Sequence, residues 1–221
     1  MPKQKQLLSI YSRLFECYGP QHWWPGETPF EVMAGAILTQ SAAWSNVEKA
    51  INNLKAANAL SALTLRKLAI KDIATLIRPS GYYNAKAKKL KALVNWLGRY
   101  DDDIPRLAAR DTAGLRKELL AVHGIGPETA DSILLYALDK PVFVIDAYTR
   151  RIFTRLGIKP EKDTYDEWQK LFMNSLSVDR RLFNEYHALI VRLGKKQCRK
   201  VQKCEGCCLK EGCPDDTLKL R

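Results

Sequence analysis

Residues 119–150 contain the groups whose types and spacing best suggest chemistry. Gly124 and Gly126 stand between two segments with helical patterning, and Pro127 suits the first position of the second helix. A helix N-terminus behind such a hairpin presents unpaired N–H groups, which bind anions such as nucleic-acid phosphates. Asp146 begins another predicted helix and adds a carboxylate. The stretch therefore predicts a phosphate-binding hairpin followed by an acidic group.

Four cysteines near the C-terminus have the spacing of ligands. They follow the pattern Cys198-x5-Cys204-x2-Cys207-x5-Cys213, and Cys208 is an alternative ligand to Cys207. Thiolates at this spacing suit a [4Fe–4S] cluster or tetrahedral zinc. A zinc ribbon typically has two CxxC pairs, and only one is present here. Disulfides are not expected, because the chain otherwise has the composition of a cytosolic protein.

The composition narrows the class of partner. The chain has 221 residues and a formal net charge of +12, which favours a polyanion through phosphate neutralisation and counterion release. We find no apolar run long enough to cross a membrane and no signal-peptide pattern at the N-terminus. We therefore expect a monomeric cytoplasmic protein, associated with the nucleoid of a prokaryote and without a membrane partner.

Helix-start signals recur along the chain, which indicates the elements that must position these groups. Thr28–Glu31 and Ser45–Glu48 read as capping boxes. Asn84 suits the cap of a lysine-rich helix, and Asp111 suits the cap of the first hairpin helix. No convincing alternation of apolar and polar residues predicts a strand. The predicted fold class is all-α.

The string from the hairpin to Asp146 closely resembles the helix-hairpin-helix followed by a Gly/Pro-rich loop and an aspartate, which marks the endonuclease III superfamily of DNA glycosylases. The resemblance implies a two-domain endonuclease III-like fold. Residues 28–138 correspond to a six-helix barrel domain, with the helix-hairpin-helix at 112–138. Residues 1–27 and 139–221 correspond to a cluster domain formed by both termini. The resemblance also favours a [4Fe–4S] cluster over zinc in the loop 198–213, although the family has six rather than five residues in the first gap.

The resemblance assigns roles to individual residues. Asp146 corresponds to the catalytic aspartate. Gln40 and Tyr82 occupy the positions from which the family fills the gap left by a flipped-out nucleotide. The hairpin positions that contact DNA correspond to His123, Gly124, Ile125, Gly126 and Thr129.

Glu128 decides the predicted chemistry. Bifunctional members of the family have a lysine nucleophile at this position, and a carboxylate cannot form the Schiff base needed for strand cleavage. We therefore predict a monofunctional base-excision-repair N-glycosylase without AP-lyase activity. In this mechanism Asp146 stabilises the oxocarbenium-like sugar and positions or deprotonates a water molecule.

Aromatic residues suggest the substrate. They resemble the base pocket of the 3-methyladenine DNA glycosylase III branch of the family. Alkylated purines carry positive charge, which indole faces bind by stacking and cation–π attraction. We therefore predict double-stranded DNA with a damaged base as the partner, and an alkylated purine as the base removed. The predicted pocket residues are Trp23, Trp24, Pro25, Trp44, Glu128 and Tyr148.

Two alternatives stay open. One is a glycosylase for uracil, thymine mispairs or oxidised pyrimidines, with or without AP-lyase activity. The other is a non-catalytic protein that binds damaged DNA. Asp146 argues against the second, because a carboxylate facing the sugar repels phosphate and a simple binding protein does not require it.

Overall fold

The computed structural model describes residues 3–23 and 26–214, so the predictions for Trp24 and Pro25 lie outside the described residues. Over these ranges the regular structure is helical and no strand occurs, which confirms the all-α prediction. Short 3₁₀ segments lie at Arg78–Ser80 and Gly98–Tyr100, and a π-helical segment, Ile133–Ala137, directly continues α9. The α-helices of the described residues are α1 Lys3–Tyr18, α2 Pro29–Leu38, α3 Trp44–Ala56, α4 Ala62–Lys67, α5 Ile70–Leu76, α6 Tyr83–Leu97, α7 Ile104–Ala109, α8 Thr112–Ala121, α9 Pro127–Ser132, α10 Ala147–Arg155, α11 Tyr165–Met173 and α12 Arg180–Lys196.

Side-chain caps start several helices where the sequence predicts them. Thr28 Oγ1 accepts a hydrogen bond from the Glu31 backbone N–H at 3.1 Å, and Asp111 Oδ1 accepts one from the Gly114 N–H at 2.7 Å. Each bond satisfies a donor that the first helical turn leaves unpaired. The helix α7 begins at Ile104, and Asp103 caps it by accepting a hydrogen bond from the Arg106 backbone N–H at 2.9 Å.

Two predicted caps are wrong. The helix α3 begins at Trp44, and its N-cap position is the extended Ala43, so Ser45 lies inside the first turn. The helix α6 begins at Tyr83 after Tyr82, which takes the left-handed conformation, so Asn84 also lies inside its helix. In both cases the backbone of the preceding loop sets the helix start, and a polar side chain at a favourable position does not.

The described residues divide into two compact units. We call residues 26–140 the hairpin unit and residues 3–23 with 141–214 the aspartate unit. In the hairpin unit, α2 is buried along its length from Phe30 to Leu38. A helix that is apolar on all sides must be surrounded, and α3, α6, α9 and the π-helical segment pack against it.

The aspartate unit has an aromatic core. The rings of Phe143 and Phe172 stack with centroids 4.2 Å apart, and Phe153 meets Phe172 edge-on. The hydroxyl of Tyr186 donates to the Leu7 carbonyl at 2.7 Å and so connects α12 to α1. This packing fixes the segment that leads into Asp146, because buried aromatic residues contribute much of a core's contact area.

Among residues 3–23 and 26–214, no helix combines the length and the apolar character that a membrane crossing requires.

Candidate active site and nucleic-acid interface

Asp146 is the N-cap of α10 and is only 8% exposed. Its Oδ1 accepts hydrogen bonds from the Thr149 backbone N–H at 2.7 Å and from the Thr149 hydroxyl at 2.8 Å. These two hydrogen bonds orient the carboxylate, and the residues directly before it, 142–145, are buried. The prediction that Asp146 starts a helix is confirmed.

His187 of α12 lies beside the same carboxylate, with Nε2 3.6 Å from Asp146 Oδ2. Burial by itself raises the pKa of Asp146. The interaction with His187 and the two hydrogen bonds from Thr149 outweigh burial and hold this pKa below its ordinary value. Asp146 is therefore an ionised carboxylate at neutral pH, as the predicted chemistry requires.

Lys195 lies two turns beyond His187 on α12, and a spacing of eight residues places both on one helix face. Partial burial of the ammonium group lowers the pKa of Lys195, and the negative charge of Asp146 opposes this shift. The residue as a whole is still exposed. Its Nζ lies 5.5 Å from the ring centroid of Trp23, within the range of a cation–π contact.

Tyr148 is half-buried beside this face of α12. Its ring lies against Gly194, where a Cβ atom would collide with it, and the Arg151 guanidinium carbon lies 5.0 Å from its ring centroid. Gly194 therefore makes the space that Tyr148 occupies. The structure thus brings Trp23, Tyr148 and Asp146 together with α12 in the aspartate unit.

The sequence interpretation missed two contributors to this arrangement. His187 and Gly194 were not among the site residues predicted from the sequence. A signal was available: positions 187, 194 and 195 follow the i, i+7, i+8 pattern of a single helix face. The signal becomes informative only once α12 is known to pack against α10.

The hairpin in the other unit has the expected glycine geometry. Gly124 has φ +80°, in the left-handed region, and Gly126 is the N-cap of α9. The N–H of Ile125 donates to the Val122 carbonyl at 3.1 Å, which closes the turn, and the Ile125 side chain is buried. His123 is exposed at the same turn.

The two hairpin glycines should respond differently to alanine. A Cβ atom on Gly124 would collide with the methylenes of Lys89 and would strain the backbone, whereas a Cβ on Gly126 meets no atom within 4 Å. We expect Gly124→Ala to lower the melting temperature by several degrees, about 2–4 °C for each kcal/mol lost in a chain of this size. Gly126→Ala should melt like the wild type, and if the hairpin binds DNA as the sequence predicts, its methyl group should block phosphate approach and weaken duplex binding. Calorimetry and fluorescence anisotropy measure the two effects, and equal melting temperatures would contradict the first.

Gln40 follows α2, and both the nitrogen and the oxygen of its side-chain amide form hydrogen bonds within the hairpin unit. Its Nε2 donates to the Gly124 carbonyl at 3.1 Å and to the Thr129 hydroxyl at 2.9 Å. Its Oε1 accepts from Lys89 Nζ at 2.5 Å. Thr129 itself is buried. The structure therefore places Gln40 and Thr129 in one hydrogen-bond network with the hairpin.

Tyr82 is the most exposed aromatic side chain among the large hydrophobic residues on the described surface, at 76%. It has φ 44° and ψ 31°, a left-handed conformation that is uncommon for residues other than glycine. Such local strain persists where the surrounding structure imposes it and is frequent at functional sites. The ring projects from a tight turn between Ser80 and α6.

The two remaining pocket candidates lie in the hairpin unit. Glu128 is an exposed residue in the first turn of α9. Trp44 is half-buried as the first residue of α3.

The four candidate cysteine ligands line one cavity in the aspartate unit. Apolar side chains, including Ile152, Leu156, Leu193 and Leu209, form much of its wall. The Nη1 of Arg155 lies 3.2 Å from Cys198 Sγ, which suits a thiolate. The residues involved are Cys198, Cys204, Cys207 and Cys213.

The chemistry of this donor set suits an iron–sulfur cluster. Within the described part of the chain, no three His, Cys, Asp or Glu side chains converge on one metal position. The ligands of a four-iron cluster are spaced more widely than those of one ion, and thiolates are its usual ligands. Four thiols around one apolar cavity match that requirement.

Cys208 belongs to a different environment from its neighbour Cys207. It does not line the cavity. A hydrogen bond with Cys207, burial, and a hydrogen bond with Cys17 raise the pKa of the Cys208 thiol. Cys207 is therefore the better candidate ligand of the two.

Comparison with known proteins establishes the family. Residues 34–177 match the model of the HhH-GPD superfamily of base excision DNA repair proteins, and the chain belongs to this family. It is 47% identical over 213 residues to a protein of Methanocaldococcus jannaschii named as a DNA repair glycosylase, MJ1434, and the match covers 96% of this chain and 97% of that protein. An endonuclease III of Sulfolobus acidocaldarius is 29% identical, with 83% of this chain and 81% of that protein covered.

Solved structures agree with this assignment. The structure of H. pylori 3-methyladenine DNA glycosylase, MagIII, bound to 1,N6-ethenoadenine is similar with a TM-score of 0.74 and 31% identity. That match covers 89% of this chain and 98% of the MagIII chain. A trapped endonuclease III–DNA covalent intermediate is similar in fold, with a TM-score of 0.85, 21% identity and complete coverage of both chains. The protein is therefore a base-excision-repair DNA glycosylase with an endonuclease III-like fold.

Proposed function

We propose that this protein is a monofunctional DNA N-glycosylase in which Asp146 is the catalytic carboxylate. One observation carries the proposal: the Asp146 carboxylate is buried, accepts two hydrogen bonds from Thr149 and lies 3.6 Å from His187 Nε2. Glu128 occupies the position of the lysine in bifunctional relatives and offers no amine for a Schiff base.

The proposed reaction is hydrolysis of the N-glycosidic bond. The Asp146 carboxylate faces the sugar as positive charge develops there, and its fixed orientation means that little reorganisation is needed in the transition state. The same group accepts a proton from the attacking water, or orients that water. Base and abasic DNA are the products, and the DNA strand stays intact.

We further propose that the hairpin unit is the six-helix barrel domain and that the aspartate unit is the cluster domain. The chemistry of the four cysteines supports a [4Fe–4S] cluster in the second unit, with Cys198, Cys204, Cys207 and Cys213 as ligands. A bound cluster would fix the C-terminal loop beside α10 and α12. The basic residues of that loop, Arg199 and Lys200 among them, would then be held in place for contact with DNA phosphates.

The first candidate substrate is an alkylated purine. The similarity to a 3-methyladenine DNA glycosylase supports it, as does the half-exposed indole of Trp23. An electron-rich ring can hold a cationic base by stacking. The glycosidic bond of such a base is already weakened, so a strong general acid is unnecessary.

One observation favours a second candidate, a neutral base such as uracil that leaves as an anion. Lys195 Nζ lies 5.5 Å from the centroid of Trp23, so a cation already faces this ring. A positively charged purine at the same place would be repelled, whereas an ammonium group stabilises an anionic leaving group.

A substrate panel tests the function and chooses between the candidates. Purified protein is incubated with methylated duplexes and with duplexes containing uracil, a thymine mispair or an oxidised pyrimidine. Released bases are identified by chromatography, and strands are examined before and after alkali. Base release with breaks only after alkali supports a monofunctional glycosylase. Failure to release any base would contradict the proposal, and breaks without alkali would contradict the monofunctional part.

Substitution of Lys195 should affect the two substrate classes in opposite directions. We expect Lys195→Met to slow release of a neutral base by about tenfold or more, because the developing negative charge loses its stabilisation. The same variant should release a cationic alkylpurine at least as fast as the wild type. Single-turnover rates measure both. Lys196→Met is the matched control, because Lys196 lies near Tyr18 instead. Equal rates for Lys195→Met and Lys196→Met on every substrate would show that Lys195 does not stabilise the leaving base.

A further inference from the structure

Lys86 is a lysine in the core of the hairpin unit, with only 2% of its surface exposed. Its Nζ donates to the Leu38 carbonyl at 2.8 Å and to the Ser80 carbonyl at 2.7 Å. Burial and the nearby charge of Lys89 lower the pKa of Lys86 to about 8. A buried ammonium is costly and persists where its hydrogen bonds serve a purpose.

The positions of the Leu38 and Ser80 carbonyls indicate what the buried Lys86 ammonium does. Leu38 is the last residue of α2 and directly precedes the segment that contains Gln40. Ser80 directly precedes the turn that carries Tyr82. One ammonium group therefore joins the backbones at the bases of both loops that correspond to the DNA-inserting loops.

Lys89 extends the connection to the hairpin. It lies three residues after Lys86, so both side chains lie on the same side of α6. Its Nζ donates to Gln40 Oε1, and its methylenes fill the space where Gly124 lacks a side chain. Gln40 in turn donates to the Gly124 carbonyl. The Gln40 amide is thus committed to contacts within the protein.

We propose that Lys86 and Lys89 are positioning residues that hold the Gln40 segment, the Tyr82 turn and the hairpin as one unit, so that phosphate binding at the hairpin places Tyr82 into the base stack beside the damaged nucleotide. In this arrangement Gln40 is the connecting element and Tyr82 is the side chain that enters the DNA. The inference rests on the proposed function as a DNA glycosylase.

The test separates DNA binding from insertion. A duplex carries a tetrahydrofuran abasic analogue with 2-aminopurine as the neighbouring base, and fluorescence reports unstacking without any base release. Anisotropy on the same duplex reports affinity. The variants are Lys86→Met and Lys89→Met, and Lys88→Met is the control because Lys88 is an exposed lysine of the same helix. Tyr82→Gly, which suits the left-handed backbone, shows the signal expected without insertion.

We expect the Lys88→Met variant to give the fluorescence change of the wild type. Lys86→Met and Lys89→Met should bind the duplex as tightly as Lys88→Met but give the small change of Tyr82→Gly. Their single-turnover base release should fall about tenfold or more, since each loses hydrogen bonds to a charged group. A full fluorescence change in both Lys86→Met and Lys89→Met would overturn the proposal.

A double-mutant cycle tests the connection through Gln40 and does not depend on whether Lys86→Met folds. If Lys89 acts through Gln40, the combination of Lys89→Met and Gln40→Ala should lose no more fluorescence change than the worse single variant. Additive losses would overturn the proposal. If the wild type does not bind the abasic duplex, both the positioning role and the proposed function are refuted. If it binds and inserts Tyr82 but releases no base from any substrate, only the proposed function is refuted.

Discussion

Asp146→Asn should lower single-turnover base release by about 10²- to 10⁴-fold, the range typical for loss of a positioned acid–base group. The asparagine oxygen can still accept the two hydrogen bonds from Thr149, so the cap of α10 and the fold should survive. The negative charge that stabilises the developing cation is lost. Affinity for damaged duplex should be unchanged or higher, because a charge that repels phosphate is removed.

The matched control is Asp111→Asn. Asp111 caps α8 with the same geometry, accepting from the Gly114 N–H at 2.7 Å, and has no proposed role in the chemistry. It should release base at the wild-type rate. If Asp146→Asn keeps full activity, or if both variants lose it equally, Asp146 is not the catalytic carboxylate.

The pH dependence gives independent evidence on the same group. Because the pKa of Asp146 lies below its ordinary value, base release should persist on the acidic side to below the usual titration range of an aspartate. The free energy of unfolding should depend on pH in the same direction. The ionised Asp146 carboxylate stabilises the fold above its unfolded-state pKa, and this contribution is lost as the pH falls through its lower folded-state pKa. A rate that falls within the usual aspartate range would contradict the electrostatic environment described here.

Substitution of a cluster ligand should have the second large effect. We expect Cys204→Ser, in protein purified without oxygen, to lose most of its iron and visible absorption and to melt well below the wild type. Ligand binding contributes to the free energy of folding, and loss of a metal site is among the largest effects of single substitutions. Iron and sulfide analysis with calorimetry measures both changes.

Cys208→Ser separates the cluster from general thiol chemistry. Cys208 contacts Cys17 and Cys207 but does not line the cavity, so this variant should keep its iron and its absorption spectrum. If Cys208→Ser loses iron and Cys207→Ser keeps it, Cys208 is the cluster ligand and Cys207 is not. Zinc in place of iron and sulfide in the wild type would refute the cluster.

Local patterns in the sequence were sufficient for some elements. The caps at Thr28, Asp111 and Asp146 each depend on a short-range hydrogen bond, and all three are confirmed. The cap predictions at Ser45 and Asn84 were wrong, because the loops before α3 and α6 determine where these helices begin. Polar residues near a helix start are compatible with more than one register.

Tertiary contacts explain what the sequence could not show. His187 becomes significant only when α12 packs beside α10, forty-one positions from Asp146 along the chain. The buried position of Lys86 contradicts the ordinary expectation that lysine is exposed. The roles of the hairpin, wedge and pocket residues stay predictions, and the experiments above test them.

The most direct test of the central claim is a single-turnover reaction on the preferred damaged duplex in the presence of borohydride. Released base is measured by chromatography, and DNA–protein adducts are measured on a denaturing gel. A hydrolytic mechanism with Asp146 predicts released base and no covalent adduct, and a parallel reaction without borohydride should leave the strand intact until alkali is added. A borohydride-trapped complex through a lysine would contradict it, because the enzyme would then form the Schiff base that Glu128 cannot provide.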